Sequence, residues 1–139
     1  MEIAFFLFSC CLLIFVFRKT KVIVCEVDRK DFPLYPKLQM VYAKDFWQKR
    51  IGLLNHMSLE ENRGIFFDSV RSIHTIGMPF EFDMIFLDRH FCITALVESV
   101  KINQQKIVGP SSTKHVLEVG QGTISGHRFR VGDRLIVKV

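Results

Sequence analysis

"SIHTIGMPFEFDMIFLD", residues 72–88, is the stretch whose reading decides the fold. It sets a histidine, a glycine, a proline and three acidic residues among Ile, Met, Phe and Leu. In its second half Phe82, Met84 and Phe86 alternate with Asp83, Ile85 and Leu87, so a strand here is apolar on both faces. Such a strand belongs in the middle of a sheet. Asp83 then begins a row that is otherwise buried, and a buried carboxylate needs hydrogen bonds or a cation. Two readings of Asp83 follow. In the structural one it accepts backbone N–H bonds from the Gly77-Met78-Pro79 turn and fixes that turn. In the functional one it is the floor of a pocket. His74 alternates with Ser72 and Ile76, and is either a hydrogen-bonded core or rim residue or a general base, ligand donor or metal ligand. The whole stretch predicts two central strands around a Gly-Met-Pro turn.

Outward from it, "LQMVYA" (38–43), "GIFFD", "FCITALVE", "HVLEV" and "RLIVKV" are short runs rich in Ile, Val, Phe and Thr, separated by turn signals such as Asp88-Arg89, Gly109-Pro110-Ser111 and Gly132-Asp133. "DFWQKRIGLLNHM" carries Asp45 and Gln48 at capping-box spacing, and Trp47, Ile51 and Leu54 recur at i, i+4 and i+7, which predicts one helix. "TISGHRF" (123–129) has room for a one-turn helix. The fold class is therefore mainly β (α+β): a small antiparallel β-barrel or sandwich-like domain with one N-terminal helix, preceded by a hydrophobic anchor segment.

The anchor is "MEIAFFLFSCCLLIFVFRKTK", apolar from Ile3 to Phe17 apart from Ser9, then stopped by Arg18, Lys19 and Lys21. The run is shorter than the ~20 residues a straight spanning helix wants, and snorkelling basic side chains offset the deficit. It lacks the leading positive charge and small-residue cleavage site of a signal peptide. The expected organisation is an anchor at 1–21, a linker at 22–37 marked by Pro33 and Pro36, and one β-rich domain at 38–139. Basic residues after the span favour the cytoplasmic face over an exported domain.

The formal charge of +5 is partly that basic flank, and no basic stripe with interleaved aromatics follows, which excludes a nucleic-acid reading. At 139 residues the chain holds one domain, and 49% apolar content supplies a packed core. Of the four cysteines, Cys25 and Cys92 show no zinc or C-x-x-C spacing, and a disulfide between them would require export. The histidines lack H-x-H or H-E-x-x-H spacing, and G-x-S-x-G, P-loop and dinucleotide glycine patterns are missing. No cofactor or metal is implied.

The strings "DFWQKRIGLLNHMSL", "GIFF", "SIHTIGMPFEFDMIFLD", "VLEVGQG" and "VGDRLIV" occur in an order that resembles the domain of unknown function 192 (UPF0127) family, in the branch with an IHTFGM-like motif. The resemblance covers roughly residues 38–139. It implies a small β-rich fold with a helix near its start, in bacterial and archaeal proteins that often carry an export or anchor segment, and no established activity. The matching motif positions are Lys49, Gly52, Leu53, His74, Thr75, Gly77, Met78, Phe80, Asp83, Asp88, Glu118, Gly132 and Asp133. Pro79 stands where the branch often has a basic residue, and Arg71 where it tends to have a small polar one. If the family's basic residue grips an anion, this chain has either lost that grip or uses Arg71 in its place.

Three functional expectations follow. The first is a membrane-tethered, non-catalytic binding or accessory module, held to the membrane through residues 3–17, that takes a small ligand or a protein segment at His74, Thr75, Gly77, Met78, Asp83 and Glu118. The second is a hydrolase with His74 as base and Asp83 as its orienting partner, with or without a metal; it requires the two side chains within hydrogen-bond reach. The third is that the motif is purely structural.

Overall fold

The computed structural model describes residues 22–28, 37–43 and 62–138. The predicted helix over 45–57, the anchor at 1–21 and the motif positions Lys49, Gly52 and Leu53 lie outside the described residues. Among the described residues the elements run in the order β1 Val22–Val27, β2 Leu38–Ala43, β3 Arg63–Asp68, β4 Ser72–Ile73, β5 Phe82–Leu87, β6 Ile93–Val100, β7 Ile107–Val108, β8 His115–Val119, α1 Thr123–His127 and β9 Leu135–Lys138. Seven strands form one curled half-barrel sheet in the order β6-β5-β8-β3-β2-β1-β9, and β4 pairs with β7 in a separate two-stranded ribbon.

All neighbours in the large sheet are antiparallel except β2 and β3, which run parallel. Its two outer strands meet at one point. Cys92 and Arg134 form an isolated bridge, the Leu135 amide donates to the Phe91 carbonyl at 2.9 Å, and the Ile93 amide donates to the Asp133 carbonyl at 2.8 Å. This contact curls the sheet and shields the start of both edges.

Alternation on β5 sorts the core into two sides. Ile85 and Leu87 join Leu38, Met40, Phe66, Leu117, Val119 and Ile124 on one face. Phe82, Met84 and Phe86 join Ile65, Val100 and Val116 on the other, covered by Met78, Ile73 and Ile107. Every residue of β5 is buried, so its reading as a central strand is borne out. Truncating Phe82 or Phe86 to Ala would remove roughly 3–5 kcal/mol at such a site. Gly64 on β3 is the closest approach in the sheet: a Cβ there would meet the Glu118 carbonyl oxygen of β8.

Two expectations are corrected. Residues 72–76 do not form a second central strand. Only Ser72–Ile73 is extended, pairing with Ile107–Val108 outside the main sheet, because the chain turns at Thr75–Met78, where Met78 N–H donates to Thr75 O at 3.1 Å. Residues 22–27 are not linker: β1 is flanked on both sides, by β2 and by β9. The run Val22–Val27 is β-like in sequence, and the charges and prolines that follow it put it with the linker; its Cys25 is fully buried. The short helix expected within 123–129 is present as α1.

Candidate functional site

Asp83 is fully buried, and its two oxygens are both engaged by backbone amides. Oδ1 accepts from Ser99 N–H at 2.9 Å and Oδ2 from Ile124 N–H at 3.0 Å. Both bonds have a local reason. The β5–β6 register jumps between Phe82↔Val100 and Met84↔Val97, so β6 carries a bulge, and Ser99 sits in it with φ 49. Helix α1 begins at Gly122 with no side-chain cap of its own, which leaves first-turn amides needing an acceptor. A single carboxylate from β5 satisfies the bulge and the helix start together. The expected partner, the Gly77-Met78-Pro79 turn, is therefore replaced by two amides from residues much later in the chain. The Asp83 carboxylate has no hydrogen bond to His74 among the described residues.

Several other motif residues also serve the framework. Thr75 is fully buried. Its hydroxyl donates to Lys101 O at 2.8 Å and accepts from Gln104 N–H at 2.8 Å, pinning the turn after β6 to the turn before β5. Gly77 takes φ +80 with open space around it, the positive φ that a type II turn demands at its third residue. Met78 is buried against the second core face. His74 is half-buried directly after β4. Glu118 is buried on β8, in register with Met84, whereas Asp83 is in register with Val119. Asp83 and Glu118 therefore point to opposite faces of the sheet, and the set His74, Asp83, Glu118 does not converge. Asp88 and Asp133 likewise serve turns, accepting from His90 and Cys92 amides at 2.8 and 3.0 Å and from Arg130 N–H at 2.7 Å. Arg71 donates from Nε to the Gly109 and Pro110 carbonyls, each at 3.2 Å.

What the motif leaves outside is apolar. Ile76 is 49% exposed, Ile102 41% and Val108 52%. The Thr75–Asn103 and Thr75–Gln104 backbone bonds hold the turns bearing Ile76 and Ile102 together, and Val108 lies opposite Ser72 on the ribbon. Ile76, Ile102 and Val108 are thus exposed apolar side chains on the turns and ribbon beside the framework residues.

A second polar cluster joins β2, β3 and β8. The Tyr42 hydroxyl donates to Asp68 Oδ2 at 2.8 Å, and Ser69 donates to Oδ1 at 3.2 Å. His115, opposite Asp68 in the β3–β8 ladder, brings Nδ1 to 2.9 Å from Oδ1. That approach is out of line for a hydrogen bond, and it becomes an ion pair only when the imidazole is protonated. The imidazole stacks on Phe91 at 5.0 Å between centroids and lies 5.3 Å from Phe66. Burial pushes His115 below its ordinary pKa, and Asp68 counters this only in part. Burial raises Asp68, but hydrogen bonds from Tyr42 and Ser69 and the nearby His115 outweigh it and hold the carboxyl below its usual range. Sequence reading did not bring Tyr42, Asp68 and His115 together, because nothing in the linear order joins residues 42, 68 and 115. Among the described residues no group of three or more His, Cys, Asp or Glu is arranged to hold a metal ion. Cys25 and Cys92 are both free thiols.

The family model described as Uncharacterized ACR, domain of unknown function 192, matches residues 14–137. The chain is similar to a crystal structure of a Sinorhizobium meliloti 1021 protein provisionally described as a transcription regulator: TM-score 0.71, 20% identity, 85% of this chain and 95% of that one covered. It is also similar to a protein of unknown function from Novosphingobium aromaticivorans DSM 12444, with TM-score 0.67 at 15% identity and 84% of each chain covered. At these identities the likeness concerns the fold alone. No curated protein matches the chain.

Proposed function

The chain belongs to the domain of unknown function 192 family, and from that premise we propose that it is a membrane-tethered, non-catalytic binding or accessory module. One observation carries the non-catalytic part. Asp83 and Thr75, two of the motif's polar residues, spend their polar atoms on backbone groups. The hydrolase reading needs Asp83 to orient His74, and the Asp83 oxygens go to Ser99 and Ile124 instead. The ligand or protein segment meets the face that carries the exposed side chains of Ile76, Ile102 and Val108. Residues 3–17 followed by Arg18, Lys19 and Lys21 support the tether, with the domain on the cytoplasmic face. No helix among the described residues is long and apolar enough to cross a membrane.

Two measurements test the reading. The full chain should remain with membranes through an alkaline carbonate wash, and a chain starting at Lys21 should be released; a full chain that washes off defeats the tether. A photo-crosslinking residue at 76 or 102 should give one adduct of defined mass, lost on Ile102→Asp, whereas the same residue at 121 should give none. Turnover of a substrate that disappears in Asp83→Asn while folding is preserved would overturn the non-catalytic reading.

A further inference from the structure

Strand β6 closes one end of the seven-stranded sheet, and its outer side is only partly occupied. At its start Ile93 N–H donates to Asp133 O and Gly132 N–H donates to Ile93 O, each at 2.8 Å. Beyond that point the direction of its backbone groups follows from β5. In a strand the N–H and C=O of one residue share a side, and the side alternates along the chain. The Leu87 carbonyl accepts Lys114 N–H at 2.7 Å, so Leu87 faces β8. The Phe86 carbonyl accepts the Thr94 hydroxyl at 3.2 Å, so Phe86 faces β6, and Met84 does the same. Their register partners Ala95 and Val97 therefore turn their bonding groups to β5, and Leu96 turns its own away from the sheet. Ser99 N–H is drawn to the Asp83 carboxylate, and the Glu98 carbonyl, on the opposite side of the same planar peptide unit, points outward. Neither Leu96 nor Glu98 has a backbone partner on that outer side among the described residues. The stretch Thr94 to Glu98 has one charge and no proline, whereas the opposite edge, β9, is four residues long and ends on Lys138. An edge strand of the first kind is a template for another strand.

We propose that β6 pairs antiparallel with β6 of a second copy of this chain, about a two-fold axis through Val97. In that register Leu96 of each copy faces Glu98 of the other, and both residues exchange N–H···O=C bonds on either side of the axis. Val97 then faces its own counterpart in a position without hydrogen bonds, where side chains approach most closely. It is the register that uses both outward residues and sets no like charges directly opposite. Centring on Glu98 would face two carboxylates, which destabilises a pair of strands. The ends leave room for the second copy. β6 stops at Val100, and the chain turns off at Lys101, whose carbonyl is held by the Thr75 hydroxyl. One copy's chain therefore leaves the sheet before it would meet the 132–133 turn that occupies Ile93 of the other.

The test uses the full chain with Cys10, Cys11 and Cys92 changed to Ser and the fully buried Cys25 retained. Opposed residues without hydrogen bonds bring their Cα atoms to about 4.5 Å, within the span of a disulfide. Val97→Cys should therefore give a disulfide-linked dimer under copper-phenanthroline oxidation, read on a non-reducing gel and by intact mass. Ala95→Cys, whose counterpart in this register is Ser99, should give none. Adding Glu98→Pro removes an N–H that faces away from the sheet, a loss an edge strand tolerates. The Val97→Cys dimer should then disappear while the circular dichroism spectrum and thermal midpoint stay as before. No dimer at residue 97, or equal yields at residues 95 and 97, overturns the proposal. So does a disulfide at residue 97 to a different polypeptide in place of the second copy. The pairing does not rest on the membrane tether, since a chain released by the carbonate wash is oxidised and read in the same way.

Discussion

Replacing Asp83 with Asn keeps the side chain's size and removes one acceptor. In the parent its two oxygens take amides from a bulged strand and from a helix start, at 2.9 and 3.0 Å, with the residue fully buried. Asn retains one oxygen and turns an NH2 group toward the other amide, so one bond to a charged acceptor is lost and a buried N–H is orphaned. That costs roughly 1.5–3 kcal/mol. Ala leaves both amides without an acceptor and should cost about twice as much. With a urea slope of about 1–3 kcal/mol per molar for a small domain, Asp83→Asn should lower the midpoint by about 1 M. The assay is urea unfolding followed by far-ultraviolet circular dichroism, with amide hydrogen exchange at Ser99 and Ile124 to localise the effect. The reasoning fails if Asp83→Asn unfolds with the parent, or if Asp83→Ala is no worse than Asp83→Asn. It fails equally if exchange accelerates at Gly77 and Met78 rather than at residues 99 and 124.

Other outcomes follow from the same structure. Gly64→Ala should separate β3 from β8, since its Cβ would meet a backbone oxygen that cannot yield; the expected loss is roughly 2–4 kcal/mol, read by thermal unfolding. Thr75→Val should cost about 1–3 kcal/mol by removing both hydroxyl bonds to the 101–104 turn, with exchange rising at Gln104. Stability should fall as pH drops below about 6.5, because the unfolded chain then takes up a proton that His115, pushed low by burial, refuses in the folded state. Asp68, held low, adds a further loss below its usual carboxylate range. Urea midpoints at pH 7.5 and 5.5 should separate in the parent and draw together in His115→Phe. The Cys25 thiol, pushed up to about 12 by burial, should resist alkylation in the native protein and react only on unfolding, as peptide mapping would show.

Local pattern made most strands legible. Alternation on both faces placed β5 in the sheet's interior, and the runs at 38–43 and 115–119 became β2 and β8 with the expected bounds. The prediction of a polar group that must find partners was also sound for Asp83. Those partners were not legible. Ser99 and Ile124 lie 16 and 41 positions away, and neither a bulge nor an uncapped helix leaves a mark near residue 83. The turn beside Asp83 was chosen because it was close in sequence, whereas the sheet brings distant amides closer. β1 was misjudged for a related reason: prolines and charges after Val27 outweighed an apolar run only six residues long. The Tyr42–Asp68–His115 cluster was invisible because its members come from three strands whose adjacency depends on the parallel β2–β3 pairing.

The position of β1 bears on how the domain would withstand force. Its backbone is bonded along one side to β2 and along the other to β9, and it is entered from residue 21. A pull delivered through the preceding segment would therefore act along the axis of a strand held on both flanks. The bonds on each side lie across that direction, so they would share the load together rather than open one after another. Under such a pull the first strand of the sheet would be loaded in shear.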